Sequence, residues 1–336
     1  MNIRKIAEIA GTSHTTVSRA LNNSPLVAEA TRERILEIAA RLGYQINAGA
    51  RSLSTGVRNT VGLLYSFHRT RQLDSYYTAQ LLHFIAASLT ERGFDTMIEG
   101  FDKDAEDVAT ITRIVRQKKV DGLLLIGYDV NEQLAHEITA VTDRCVFINP
   151  AHQPWVEHYP TVLIDHYRGG RLAAAALIAR GCTRLATISE DDPQFRVRVS
   201  GFIAECADHG HGASCEEDDR FILPGGSYQD AYESASERIE ELRTHDGLFV
   251  GSDVTAVGVM NALLDHGLRV PEDIAVVGYD DIEWAAYVRP ALTTVHQPKQ
   301  EVAEAAATEI VERVVGERSG RFSTTFEPRL VTRMSA

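Results

Sequence analysis

Residues 3–43 read IRKIAEIAGTSHTTVSRALNNSPLVAEATRERILEIAARLG, and their spacing predicts three short helices closing one small core. Ile3, Ile6, Ala7 and Ala10 fall at i, i+3, i+4 and i+7, one apolar face of a helix that Gly11 can end. Ser13 can cap a second helix over SHTTVSRAL. In it Val17, Ala20 and Leu21 face inward, and His14, Thr15, Thr16, Ser18 and Arg19 lie on the free side. After the NNSP turn, Ile35, Ile38, Ala39 and Leu42 form the stripe of a third helix that Gly43 ends. Two short helices across a tight turn, the second polar and basic outside, describe a helix-turn-helix unit. A plain three-helix bundle is the alternative that this pattern alone leaves open.

Charge separates this head from the rest. Residues 1–58 hold eight Lys/Arg against four Glu, a net of +4, whereas the whole chain is −13, which leaves −17 beyond them. A basic head on an acidic body points to a polyanion at one end and a different task at the other. The chain of 336 residues exceeds one core, so two or three domains are expected. The N-terminal MNIRKIAEIAG has no apolar signal region, and no apolar run is long enough to span a bilayer. Cys145, Cys182, Cys206 and Cys215 form no C-x-x-C pair, so free thiols in a reducing cytoplasm are expected.

The head resembles the DNA-binding domain of the LacI/GalR family of bacterial transcriptional regulators. The family's A-x-x-A-G-V-S-x-x-T-V-S-R-x-L-N pattern stands here as AEIAGTSHTTVSRALN, with Thr12 in place of Val. The resemblance implies that Ser13 fixes the recognition helix to a phosphate and that His14 and Thr15 are the variable base readers. Thr16 and Ser18 would be backbone contacts, Arg19 a guanine reader and Asn22 a further DNA contact. YQINAGARSL matches the family hinge, a helix on DNA whose Leu53 would wedge into the minor groove, with Ala50 beside it. Ile46 replaces the usual Pro and Gly49 an Ala, costing about 1 kcal/mol of helix propensity at Gly49, so a less ordered hinge off DNA is expected. Ala28 stands where the family caps the third helix with Ser or Asp.

Beyond Thr60, buried-strand patterns such as TVGLLYSF, VDGLLLIGY and IAVVGYDD alternate with helical ones, the mark of parallel sheets covered on both faces. The alternation is too long for one sheet. Two subdomains with a binding cleft between them are therefore expected. The body also resembles the family's effector-binding core, which is like a periplasmic sugar-binding protein. The matching segments include LIDHYRGGRLAAAALIARG and SDVTAVGVMNALLDHGLRVPEDIAVVGYDD. The expected fold is α/β: a helix-turn-helix domain (1–45), a hinge (46–59) and a two-subdomain, periplasmic-binding-protein-like core. The resemblance divides that core into 60–162 plus 291–322 and 163–290 plus 323–336.

Arg198 in RVSGF matches the family Arg that holds ligand hydroxyls or a carboxylate, and Asp280 matches its hydroxyl-binding acid. Asp253 ends a strand in GSD, and Ser252 stands where the family often has Asn. Tyr76, Tyr77 and Trp284 are candidate aromatic walls, Gly226 removes a large aromatic that some members carry, and His68, Arg69 and Arg71 form a basic loop beside Asp74. A forked donor, acids and aromatics suit carbohydrate recognition. For each polar residue the plain alternative is a salt bridge or helix cap.

Cys206, His209, His211 and Cys215 lie close in sequence, but their spacing is unusual for structural zinc, and no metal is expected. Gly169-Gly170 lacks the surroundings of a phosphate loop, no nucleophile–His–acid set stands out, and no cofactor is expected. The expected function is a ligand-controlled repressor, a homodimer on a near-palindromic operator with a carbohydrate effector, acting in the cytoplasm without membrane attachment. An activator or dual regulator with the same core remains open, and an α/β carbohydrate-metabolising enzyme is a more distant alternative.

Overall fold

A computed structural model describes residues 3–21, 24, 26–44, 57–66, 76–101, 105–127, 131–150, 154–211 and 219–336. The hinge contacts Ala50 and Leu53, the altered positions Ile46 and Gly49, the loop 68–74, Asn22 and Cys215 lie outside the described residues.

The head comprises α1 (Ile3–Ala10), α2 (His14–Leu21) and α3 (Glu29–Arg41). Ile6, Ala7, Ala10, Val17, Ala20, Ile35, Ile38 and Ala39 close its core, as the helical spacing predicts. Ser13 Oγ accepts from the Thr16 amide at 3.0 Å, the expected cap of α2. Ala28 gives α3 no side-chain cap. Arg32 fastens that end instead, pairing with Glu29 and donating to the carbonyls of Ser24 and Val27.

The first sheet contains β1 (Thr60–Ser66), β2 (Asp95–Phe101), β3 (Gly122–Ile126), β4 (Cys145–Ile148), β5 (Thr161–Ile164) and β11 (Ser323–Phe326). Its order is β11-β5-β4-β3-β1-β2, all parallel. Helices α4 (Tyr76–Glu91), α5 (Ala105–Arg116) and α6 (Glu132–Thr139) connect its strands. Consecutive side chains of a strand face opposite sides, so GLLLI feeds two cores. Leu124 and Ile126 pack with α4 and α12 (Lys299–Val315), while Leu123 and Leu125 pack with α5 and α6. This explains why β3 reads as an unbroken apolar run.

The second sheet contains β6 (Leu185–Ser189), β7 (Arg220–Ile222), β8 (Gly247–Val250), β9 (Ala275–Asp280), β10 (Thr293–His296) and β12 (Arg329–Val331). Its order is β12-β10-β9-β8-β6-β7, and only β12 runs antiparallel to its neighbour. Helices α7 (His166–Arg180) and α8 (Pro193–Asp208) cover one face. The other face is covered by α9 (Tyr228–Glu237), α10 (Ile239–Leu242) and α11 (Asp253–Asp265). α7 and α8 approach so closely that a Cβ on Gly170 would lie 1.8 Å from the Arg198 carbonyl oxygen, and one on Gly201 1.9 Å from that of Tyr167. Gly170 therefore serves helix packing.

The chain crosses between the units three times: from β5 to α7, from β10 to α12, and from β11 to β12. Two expected boundaries are corrected. Residues 293–296, placed with the first subdomain from sequence, form β10 beside β9, with the Thr294 hydroxyl bonded to Asp253. Residues 323–326, placed with the second, form β11 beside β5, with Thr161 and Ser323 hydroxyls paired at 3.0 Å. Both strands have four residues and fit either sheet by pattern, so tertiary partners chose between them. Among the described residues, no helix is long and apolar enough to cross a membrane.

Candidate functional site

Two polar surfaces stand out. On α2, Val17 and Ala20 are buried, while Ser13, His14, Thr15 and Arg19 are exposed and Thr16 and Ser18 half-buried. The helix thus presents a short polar reader, held by its apolar side against α1 and α3. Ser13 Oγ also lies 2.8 Å from Thr16 Oγ1, so these two hydroxyls share one position at the helix start.

The second surface lies at the carboxyl ends of β9 and β10, where the crossings bring the two units together. Arg198, buried on α8, donates to the Gly251 carbonyl at 2.6 Å and to Gln194 Oε1 at 3.0 Å. Its Cζ lies 3.9 Å from the Tyr279 ring centroid and 4.9 Å from that of Phe195, a cation–π contact with each ring. Its Nε has no hydrogen-bond partner among the described residues. Asp280 Oδ1 lies 3.9 Å from Arg198 Nη1 and accepts from Gln297 Nε2 at 2.6 Å.

Asp280 and Asp281 both have positive φ, +115° and +53°, a conformation that needs outside support in residues with a Cβ. Lys299 Nζ supplies it, donating to the Asp280 carbonyl at 2.5 Å. Asp281 is clamped between His296 Nδ1 at 2.8 Å and Arg333 Nη2 at 2.6 Å. Burial pushes the Asp280 carboxyl up, against the opposing charges of Arg198 and Lys299, and burial draws the Lys299 ammonium down.

The aromatic candidates divide. Tyr76 on α4 and Trp284 beyond β9, both exposed, meet with ring centroids 4.6 Å apart, bridging the two units. Tyr77 turns inward: its hydroxyl accepts from Asn149 Nδ2 at 3.1 Å, and its ring centroid lies 5.9 Å from Lys299 Nζ. Burial and the charge of Asp280 push its phenol up.

Asp253 is corrected from a ligand contact to a brace. It has no exposed surface, and its oxygens accept from Thr294 Oγ1 at 2.5 Å and the Ile282 amide at 2.9 Å. Burial, then the charge of Asp280, pushes its carboxyl well up. Ser252 caps α11, as its alternative reading allowed. Cys206 is wholly buried among apolar side chains, and His209 bonds its own helix carbonyl at Glu205.

Sequence reasoning missed Lys299, Gln297, Asn149 and Gln194. Lys299 left one signal: a lysine on the first turn of a helix opposes the helix dipole and calls for a reason. Gln194 left another, standing four residues before Arg198 on one face of α8; Gln297 and Asn149 left none, because their partners lie in other elements.

Three comparisons bear on these surfaces. A model of "Bacterial regulatory proteins, lacI family" matches residues 2–47, and a "Periplasmic binding protein-like domain" matches residues 174–336. The HTH-type transcriptional repressor PurR of Aliivibrio fischeri (strain MJ11) is 33% identical over 99% of this chain and 97% of its own length. A solved transcriptional regulator CelR–cellobiose complex superposes with a TM-score of 0.74 at 27% identity, covering all of both chains. The lac repressor dimer bound to operator and the anti-inducer ONPF shares the fold, with a TM-score of 0.82 at 22% identity over 100% of this chain and 98% of its own.

Proposed function

Because this chain belongs to the LacI family of bacterial regulatory proteins, we propose that it is a sequence-specific DNA-binding repressor governed by a small molecule held between its two units. The observation that carries the reading is the exposed face of α2, where His14, Thr15 and Arg19 stand on a helix whose other side is locked into the head core. Such a helix fits the major groove, where Arg19 can address a guanine and His14 and Thr15 its neighbours. Ser13, Thr16 and Ser18 supply hydroxyls that can position the helix on phosphates, and Asn22 is a further candidate contact. Two copies related by a two-fold axis would place two heads on a near-palindrome, with Ala50 and Leu53 of each hinge at its centre. The protein would act in the cytoplasm, where its operator is.

The effector is a carbohydrate or carbohydrate derivative. Arg198 offers a forked donor, Asp280 an acceptor, Gln194 and Gln297 amides, and Tyr76 and Trp284 an aromatic rim; hydroxyl-rich ligands with apolar ring faces use all of these. The regulator CelR, solved with cellobiose, is a relative whose ligand is of this class. The ligand acts on DNA binding only through its unequal affinity for two arrangements of the units.

Selection of sites from a random DNA pool by the full-length protein tests the reading. The expected result is a near-palindrome whose affinity falls linearly on a log–log plot against salt, and which one member of a panel of neutral and acidic sugars shifts. Binding without sequence preference would overturn it.

A further inference from the structure

Arg198 is not held by its ligand-facing neighbours alone. His166 is the first residue of α7, where the chain has just left β5 for the second unit. It is buried, its Nδ1 lies 3.0 Å from Tyr279 Oη, and its Nε2 lies 2.9 Å from Gln194 Nε2. Gln194 Oε1 in turn accepts from Arg198 Nη2, and the guanidinium stacks on the Tyr279 ring. His166, Gln194, Arg198 and Tyr279 therefore form a closed ring of contacts drawn from α7, α8 and β9.

Donor and acceptor chemistry fixes the protons in this ring. A guanidinium only donates, so the Gln194 atom facing Arg198 is the oxygen, and the amide NH2 faces His166. His166 Nε2 must then be bare, and the imidazole proton sits on Nδ1, donated to Tyr279 Oη. A second proton would set two donors against each other. Burial, and then the charge of Arg198, hold this imidazole well below its usual range, in keeping with that arrangement.

The ring is also clamped from outside. A Cβ on Gly169 would lie 2.3 Å from Tyr279 Oη, so the first turn of α7 presses on the same hydroxyl. The preceding Asp165 amide donates to the Phe326 carbonyl at 3.0 Å, joining the first crossing to the third.

We propose that His166 is a positioning residue: its bare Nε2 fixes the Gln194 amide, which orients the Arg198 guanidinium in the cleft and ties that orientation to the chain crossing. The inference rests on Arg198 belonging to the effector site, but it is tested without a ligand, so its failure and that of the effector reading are distinguishable.

The experiment compares exchange of the Arg198 Nη hydrogens with water in full-length, 15N-arginine-labelled protein, the signal being assigned by its loss in Arg198→Lys. His166→Gln puts an acceptor near the Nε2 position but loses the Tyr279 bond; His166→Asn keeps a donor near Nδ1 but cannot reach Gln194. Exchange is expected within about twofold of wild type in His166→Gln, and about tenfold faster in His166→Asn and Gln194→Ala, the factor for losing a hydrogen bond to a charged group. A role in packing alone would not separate the two His166 variants by which nitrogen they mimic. Equal protection in all three, or faster exchange in His166→Gln than in His166→Asn, overturns the proposal. Should either His166 variant fail to fold, unchanged exchange in Gln194→Ala overturns it and a rise supports it. Ring 15N spectra at about pH 7 should show Nδ1 protonated and Nε2 bare, and a protonated Nε2 also overturns it.

Discussion

In the head, the functional candidates His14, Thr15 and Arg19 stand exposed on a helix whose other side is core, whereas in the cleft Arg198, Asp280, Gln297 and Lys299 are buried and bonded to one another. A surface that reads a rigid polymer is completed by that polymer, so its side chains need little help from the protein. A site that encloses a small molecule must hold its polar groups in place beforehand, because a misplaced buried donor costs binding energy with nothing to compensate. The difference teaches where stability and recognition are coupled. On the proposed reading they share the same bonds in the cleft and use opposite sides of one helix in the head.

Substitutions can break or sharpen this contrast. The largest effect is expected from Arg198→Ala, which leaves Gly251 and Gln194 without their donor and Asp280 without one of its two nearby cations. Breaking a buried charged network of this kind costs about 3–5 kcal/mol. Urea unfolding should therefore show a large loss together with loss of sugar response; loss of response at full stability would break the coupling argued for the cleft.

Asp281→Asn comes next. Burial pushes this carboxyl up, but hydrogen bonds from His296 and Arg333 outweigh it and hold the carboxyl down at about 2, below the unfolded value of 3.8. A depressed acid contributes stability that is present above the unfolded value and lost as pH falls toward about 2. The contribution is on the order of 2.5 kcal/mol at neutral pH. Asp281→Asn should lower stability at pH 7 and flatten the decline between about pH 4 and 2. A decline as steep as that of wild type would remove Asp281 from the clamp.

Arg19→Ala probes the opposite side of the contrast. Discrimination between the selected operator and one altered at the contacted base should fall by about 2 kcal/mol in binding titrations. Urea stability should move by less than about 0.5 kcal/mol, since the side chain is exposed. A matching loss of stability would erase the separation between reading and folding in the head. The smallest effect is expected for Ala28→Ser, which supplies the side-chain cap that α3 lacks and should stabilise the head by about 1 kcal/mol. An unchanged midpoint for the head transition would mean that the Arg32 staple already satisfies that end.

The head core was legible residue by residue because its three helices are local, and each announces its buried side every three or four positions. The order of strands and helices in the body was legible for the same reason. Asp253 and Asp280 were both candidate ligand acids, the one as the end of a strand in GSD and the other by its match to the family's hydroxyl-binding acid. Only the arrival of Thr294 and the Ile282 amide made one a brace, while the other accepts from Gln297 and lies beside Arg198. Tyr76 and Tyr77 were neighbours with one expected role, yet one bridges to Trp284 and the other turns inward to Asn149.

Sequence by itself determined the elements, the polar face of α2 and the presence of an arginine and acids suited to a ligand, since these follow from periodicity, capping and side-chain chemistry. The tertiary structure alone decided which sheet received β10 and β11, and that Lys299 supports a strained turn. It also decided that Gly169 and Gly170 exist for close approach and that His166 stands behind Arg198. Those outcomes depend on atoms brought together from distant parts of the chain, and no local pattern records which distant partner will arrive.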